Sequence, residues 1–366
     1  MTKRHFTICL LVGAMSAAMV PAMAADAPAA KAAPAKSASI PMTIWGTPDM
    51  SGTWTNASLT TLERPNDFGE RLVLTPAEVA KLEGAEADAR VKGNAPTDPK
   101  LKVTDLPVDC GRGFTGTNCG YNSGWVDPGS TVMRVAGQPR SSFITTTPNG
   151  KVPARKATAG AATGGPRPAL RPGMQQNDNP ETRSLGERCM MSFGNSSGPV
   201  MQPQLYNNNY EFIQTKDELA IWVEMVHDVR HIRLNTKEHL PANVRPWMGD
   251  SIGWWEGKTL VAETTNFPAG QNFRGSSANL KITERFTRTS PSTVLYQFKV
   301  EDPSVWDAAW GGEYEFSKQN GQVYEYACHE GNYALEGILA GARAEDDAAK
   351  NKVGAAAGAR PAGLQQ

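Results

Sequence analysis

"LKITERFTRTSPSTVLYQFKVE", residues 280–301, contains two runs rich in Val, Ile, Thr, Tyr and Phe on either side of the turn-like TSPS at 289–292. β-Branched and aromatic residues favour strands, whereas Ser and Pro favour turns. Two strands joined by so short a connection must run antiparallel. The stretch therefore predicts a β-hairpin.

Similar runs continue on both sides of this hairpin. They are YEFIQT (210–215), ELAIWVEMVHDVRHIRL (218–234), TLVAETTNF (259–267), YEFSK (314–318) and VYEYACH (323–329). Sequential strands with short turns form an antiparallel meander, and closing the meander removes its exposed edges. We expect a mainly β fold, with a lipocalin-like antiparallel barrel or strongly curved sheet and a terminal helix capped by Asn332 within residues 199–348.

The N-terminal half is expected to be irregular and to decorate this barrel. Residues 41–198 contain one helical pattern at 74–90, and residues 129–150 resemble two short strands with a turn. Residues 151–179 are Pro, Gly and Ala without periodicity, which is typical of a loop or a disordered insertion. The final residues, 349–366, are expected to form a flexible tail.

The N-terminus has the features of a secretory signal peptide. Lys3 and Arg4 precede an apolar run at 6–20, and the small residues around Ala24 form a cleavage signal. Residues 1–24 are therefore expected to be removed, and residues 25–40 to form an Ala/Pro linker. We expect a periplasmic or secreted protein without a membrane span; its oligomeric state is left open.

The charge balance and the known motifs narrow the class of partner. Lys plus Arg and Asp plus Glu both total 37, and no basic block occurs, which argues against nucleic acid. P-loop, HExxH and EF-hand sequences are absent from the chain. GDSIG (249–253) superficially resembles a serine-protease motif, but it precedes a strand entered by a turn, and no matching order of His and Asp follows. A small-molecule ligand without a cofactor is the expectation.

Four cysteines remain after signal cleavage, and an even number in an oxidising compartment indicates disulfides. Cys110 and Cys119 flank a Gly-rich loop that can bring its ends together. This leaves Cys189 to pair with Cys328. Their spacings differ from the short CxxC pairs of zinc sites, so no metal site is expected.

Four motifs resemble those of a large family of exported bacterial hypothetical proteins. They are WGTPDMSGTW (45–54), EMVHDVR (224–230), GWWEGKTLV (253–261) and YEYACHEGNYALEGILAGAR (324–343). The resemblance spans most of the mature chain, but it carries no known activity and no catalytic residues.

Residues 224–234, EMVHDVRHIRL, hold the first candidate site. As one continuous strand they would place His227 on the apolar, inner face, and Asp228 and Arg230 on the outer face. His227 and His231 would lie roughly 13 Å apart, too far to share one metal ion.

Two further candidates lie downstream. Glu284 alternates with Leu280, Ile282 and Phe286, so burial would raise its pKa into the range useful for acid–base catalysis. Pairing with an arginine across the sheet is the alternative. His329, expected between the last strand and the helix, is either a proton-transfer group or a structural histidine bonded to a backbone carbonyl.

The leading hypothesis is a cofactor-independent general acid–base enzyme, of the hydratase, isomerase or lyase type, acting on a small apolar or aromatic substrate. His227, Glu284 and His329 would be catalytic. The ligand-binding candidates are Trp254, Trp255, Tyr326, Arg230 and Asp228. The alternatives are a periplasmic binding or carrier protein of the same fold and a structural envelope protein.

Overall fold

The computed structural model describes residues 39–96, 99–100, 102, 129–159, 170, 172, 174–192, 198–203, 208–268 and 273–358, without the side chains of 227 and 352–358. The strands are β1 (Gly52–Thr55), β2 (Arg134–Val135), β3 (Gln138–Pro139), β4 (Asn209–Gln214), β5 (Glu218–Val223), β6 (Val229–Arg233), β7 (Asp250–Glu256), β8 (Thr259–Thr265), β9 (Lys281–Ser290), β10 (Thr293–Glu301) and β11 (Trp310–Lys318). The α-helices are α1 (Pro76–Gly93) and α2 (Tyr333–Gly358).

Nine strands close into a barrel in the order β1-β11-β10-β9-β8-β7-β6-β5-β4, and β2 and β3 form a separate small hairpin. The mainly β fold with a lipocalin-like barrel is therefore confirmed. The β9–β10 hairpin has the expected antiparallel register, from Thr293 opposite Ser290 to Glu301 opposite Lys281. Alternate residues of each strand are buried, as in strands with one face toward a core.

Aromatic side chains from opposite walls meet inside the barrel. They include Trp54, Tyr210, Phe212, Phe286, Tyr296, Tyr314 and Phe316, and at most 1% of each is exposed. Burying a large apolar side chain contributes about 1.5–3 kcal/mol, so this cluster is the main source of barrel stability. The interior is a packed core.

The N-terminal region contributes to the barrel as well as decorating it. β1 pairs with both β4 and β11 and closes the sheet. Phe143 and Ile144 are fully buried, and the Phe143 carbonyl accepts the Glu313 amide at 2.9 Å. A Cβ at Gly312 would lie 1.8 Å from this carbonyl oxygen, so the close approach requires glycine. Residues 151–159 of the expected insertion are ordered, and Ala159 packs against the core.

The C-terminal helix begins as expected and is longer than expected. The Asn332 side chain accepts the Leu335 amide at 3.3 Å, which is an N-cap contact. Helix α2 then continues to Gly358, past the point where a flexible tail was expected.

The Cys189–Cys328 disulfide is confirmed and joins the turn before α2 to residues 174–192. Cys110 and Cys119 lie outside the described residues.

Two strand predictions are wrong. Residues 218–234 form two strands, because Val226 adopts a left-handed conformation (φ 62°) in a tight turn, Met225–His227. The chain reverses there, and β5 pairs antiparallel with β6. Residues 323–329 form no strand, since β1 and β10 already occupy both edges of β11 and leave no partner.

The connection from β6 to β7 breaks the meander. These strands run parallel and pair at only two positions, Ile232 with Ser251 and Arg233 with Ile252. Parallel neighbours need a long crossover, and residues 234–249 supply it on the outer side of the barrel. No helix within the described residues is long and apolar enough to cross a membrane.

Candidate functional site

A buried ion pair crosses the barrel interior. The Arg230 guanidinium donates to both oxygens of Glu284, at 3.1 and 2.6 Å, and the Tyr296 hydroxyl donates to Glu284 Oε1 at 2.7 Å. Burial lowers the pKa of Arg230, but the charge and hydrogen bonds of Glu284, together with the nearby Tyr296 and Tyr314, outweigh it and leave that pKa above its usual value. Burial first, and then the nearby Glu284 carboxylate, raise the pKa of Tyr296 well above its usual value.

A second polar group lies in the same core, where the Tyr314 ring contacts that of Tyr296. The Asn56 amide donates to the hydroxyls of Tyr210 (3.3 Å) and Tyr314 (3.4 Å), and the Tyr314 hydroxyl donates to the Met201 carbonyl. All these side chains are buried. Buried hydrogen bonds of this kind favour one arrangement of the core. Solvent has no access to the Glu284 carboxylate, which is fully buried.

The placement of Arg230 corrects the expected face assignment. After the turn at Val226, Arg230 and Ile232 point inward, whereas His231 is exposed and bonds Glu218. Arg230 was expected on the outer face. Glu284 lies in the interior as expected, and its alternative interpretation, pairing with an arginine, is confirmed. The side chain of His227 is not among those described.

The other predicted site residues do not converge on Glu284. His329 is exposed, in the turn that precedes α2. Tyr326 and Trp255 are half-buried and pack against the core, and Asp228 is half-buried at the start of β6. Since Trp255 points inward, the neighbouring Trp254 points to the outer face, where 40% of it is exposed.

An open groove lies beside Trp254 on the outside of the barrel. Its volume is about 620 Å³, within the range of small-molecule sites. One bank is the start of the β6–β7 crossover, and the other is the outer face of β7 and β8. We call it the outer groove; its lining residues are Leu234, Asn235, Thr236, Lys237, Ile252, Gly253, Trp254 and Glu263.

A chain of polar and charged side chains reaches the outer groove. Arg233 lies 2.7 Å from Asp250 Oδ1, and His239 Nδ1 lies 2.8 Å from Asp250 Oδ2. His239 Nε2 is 3.3 Å from Glu263 Oε1, and Lys281 Nζ is 3.3 Å from Glu263 Oε2. We call these five residues the polar chain. Only Glu263 belongs to both the polar chain and the groove lining.

Asp250 is the most buried member of the polar chain, between Arg233 and His239. Burial would raise the pKa of its carboxyl, but the Leu240 amide, the His239 ring and the Arg233 guanidinium hold that pKa below its ordinary value. The Asp250 carboxylate therefore accepts a hydrogen bond from His239 Nδ1 and orients the ring so that Nε2 faces Glu263.

Asp250→Asn tests this arrangement through the pH dependence of stability. We expect a loss of about 1–3 kcal/mol at pH 7, since hydrogen bonds to charged groups contribute this much. Because folding lowers the pKa of Asp250, its carboxylate stabilises the folded protein at pH values above the unfolded pKa, which is near 3.9. This stabilisation disappears as the pH falls through the folded pKa. The stability difference between wild type and variant, measured by urea denaturation from pH 7 to pH 2.5, should therefore shrink below about pH 4. A stability difference between wild type and Asp250→Asn that stayed constant with pH would contradict this role of Asp250.

The polar chain was missed in the sequence. His239 lies in a Pro-containing crossover without periodicity, and Asp250 belongs to GDSIG (249–253), which superficially resembles a serine-protease motif. Only the parallel β6–β7 pairing brings the crossover against β7 and β8. Comparison of the chain with protein-family models and with curated proteins found no match.

Proposed function

We propose that this is an exported small-molecule-binding protein whose ligand occupies the outer groove. The observation that carries the proposal is the exposed indole of Trp254 in a groove of about 620 Å³ that also presents charged groups. Concave sites with an apolar wall and a few polar groups are typical of ligand binding. The barrel interior, in contrast, is filled by its own aromatic side chains.

The lining favours a flat, amphipathic ligand. Ile252 and Trp254 offer an apolar wall, and the Trp254 indole is held by a 3.0 Å hydrogen bond to Glu256. Lys237 is exposed and forms no ion pair within the described part of the chain, so its ammonium can pair with an anionic or carbonyl oxygen. An aromatic or fused-ring molecule with one such polar group fits both features.

Export of this protein remains part of the proposal. The signal-like N-terminus supports it, and the Cys189–Cys328 disulfide agrees with an oxidising compartment. Binding is favoured over catalysis by His227, Glu284 and His329, because Glu284 is enclosed and paired, and His329 is exposed on the surface.

Trp254→Ala tests the proposed groove. The probe is anilinonaphthalene sulfonate, a fused-ring anion, titrated into the mature protein and followed by fluorescence and calorimetry. We expect 1:1 binding by wild type and at least tenfold weaker binding by Trp254→Ala, since a buried tryptophan contact commonly contributes more than about 1.4 kcal/mol.

Trp247→Ala is the matched control, because Trp247 is equally exposed (42% against 40%) but does not line the groove. This variant should bind the probe as wild type does. Equal binding by both tryptophan variants, or the absence of a 1:1 site, would refute the proposal.

A further inference from the structure

Glu263 stands where the outer groove meets the polar chain. Its side chain is 27% exposed, so it is open to the groove, yet both carboxylate oxygens have partners, His239 on Oε1 and Lys281 on Oε2. Behind His239 lies the buried Asp250, whose carboxylate is 2.8 Å from Nδ1 and orients the imidazole ring. A carboxylate placed this way has a route for passing a proton to a histidine.

We propose that Glu263 transfers protons to and from the ligand in the outer groove, with His239 as a positioning residue behind it. This inference rests on the proposed ligand-binding function. The substrate class is an aromatic or fused-ring ketone with an acidic C–H beside the carbonyl group, and the reaction is enolisation.

The step balances without a co-reactant. Glu263 takes the proton from the carbon next to the carbonyl group, and the electron pair of the broken C–H bond moves to the carbonyl oxygen. Lys237 lines the same groove, and its ammonium would stabilise the negative charge on the resulting enolate oxygen. When Glu263 gives the abstracted proton to solvent and takes up a solvent proton in its place, return of that proton to the same carbon gives exchange. Return of a proton to a conjugated carbon gives an isomer.

The experiment uses 2-tetralone, a bicyclic aromatic ketone, as the probe. Exchange of its C1 hydrogens in D₂O is followed by NMR with the full mature protein, and binding is followed by the part of the tryptophan fluorescence quenching that is lost in Trp254→Ala. We expect wild type to accelerate exchange above the buffer rate. In Glu263→Gln the acceleration should be at least 100-fold smaller, which is the usual contribution of a general base. 2-Tetralone should still quench the tryptophan fluorescence of this variant.

Glu301→Gln is the matched control for the carboxylate. Glu301 has the same 27% exposure and the same partner, Lys281, at 3.7 Å, but lies outside the groove lining. Its exchange rate should stay within twofold of wild type. Equal rates for Glu263→Gln and Glu301→Gln would overturn the inference.

His239→Gln tests the positioning role, with His231→Gln as its control, since His231 also pairs with a carboxylate but lies on the outer surface at Glu218. His239→Gln should change the pH profile of exchange while probe binding is retained, and His231→Gln should leave both unchanged. An unchanged profile in both variants would remove His239 from the mechanism and overturn that part of the inference.

The two proposals fail in different ways. Absence of exchange above the buffer rate overturns proton transfer, whether or not 2-tetralone binds. Ligand binding itself is judged separately by the anilinonaphthalene sulfonate titration and its two tryptophan variants. A protein that passes that titration and shows no exchange is a binding protein without this activity.

Discussion

Glutamine in place of Glu284 should lower the free energy of unfolding by about 3–5 kcal/mol. The carboxylate is fully buried and holds Arg230 through two hydrogen bonds. Glutamine keeps the shape of the side chain but removes its charge, so the guanidinium remains in the core without a counter-charge. Equilibrium denaturation in urea measures the loss.

Two further variants make this result specific. Glu301→Gln breaks two partly exposed ion pairs, with Lys281 and Lys299, and should change stability by less than about 1 kcal/mol. The double variant Arg230→Met/Glu284→Leu removes both charges and should recover most of the loss, because apolar groups often replace a buried ion pair without destabilisation. If Glu284→Gln behaved like Glu301→Gln, the ion pair would not support the barrel.

Replacing Cys189 and Cys328 with serine should lower the free energy of unfolding by about 2–5 kcal/mol. The disulfide joins residues 139 positions apart, and closing so long a loop strongly restricts the unfolded chain. In the folded protein it also attaches the turn before α2 to residues 174–192. Urea denaturation in oxidising buffer gives the difference from wild type.

Reductant supplies the control for this variant. Dithiothreitol should lower the free energy of unfolding of wild type by more than that of the serine variant. Any loss of stability that dithiothreitol still causes in the serine variant belongs to another disulfide. Equal stability of the oxidised wild type and the serine variant would show that the bond restricts neither state of the chain.

Local patterns account for the parts of the fold that could be predicted. The β9–β10 hairpin follows from two alternating runs and a short turn, and Asn332 caps α2 within one helical turn. The interior position of Glu284 follows from the same alternation. These features depend on residues close together in the chain, where spacing alone decides the geometry.

The partners in the site depend on distant residues and could not be predicted. Arg230 and Glu284 are 54 positions apart, and one left-handed residue, Val226, reverses which side of β6 faces inward. His239 meets Asp250 and Glu263 only because β6 and β7 run parallel. The pattern of a strand does not specify its neighbour.

That parallel junction is one of the two shortest junctions of the barrel. Two residue pairs hold it, as two pairs hold β1 to β11, against seven between β7 and β8, and the Arg233–Asp250 contact spans it from outside. Sheets open first where backbone pairing is shortest, so we expect local opening of this barrel at these two junctions. The outer groove has one bank on each side of the β6–β7 junction. A molecule that contacts both banks binds the barrel in which this junction is closed, so its binding stabilises that closed state by mass action.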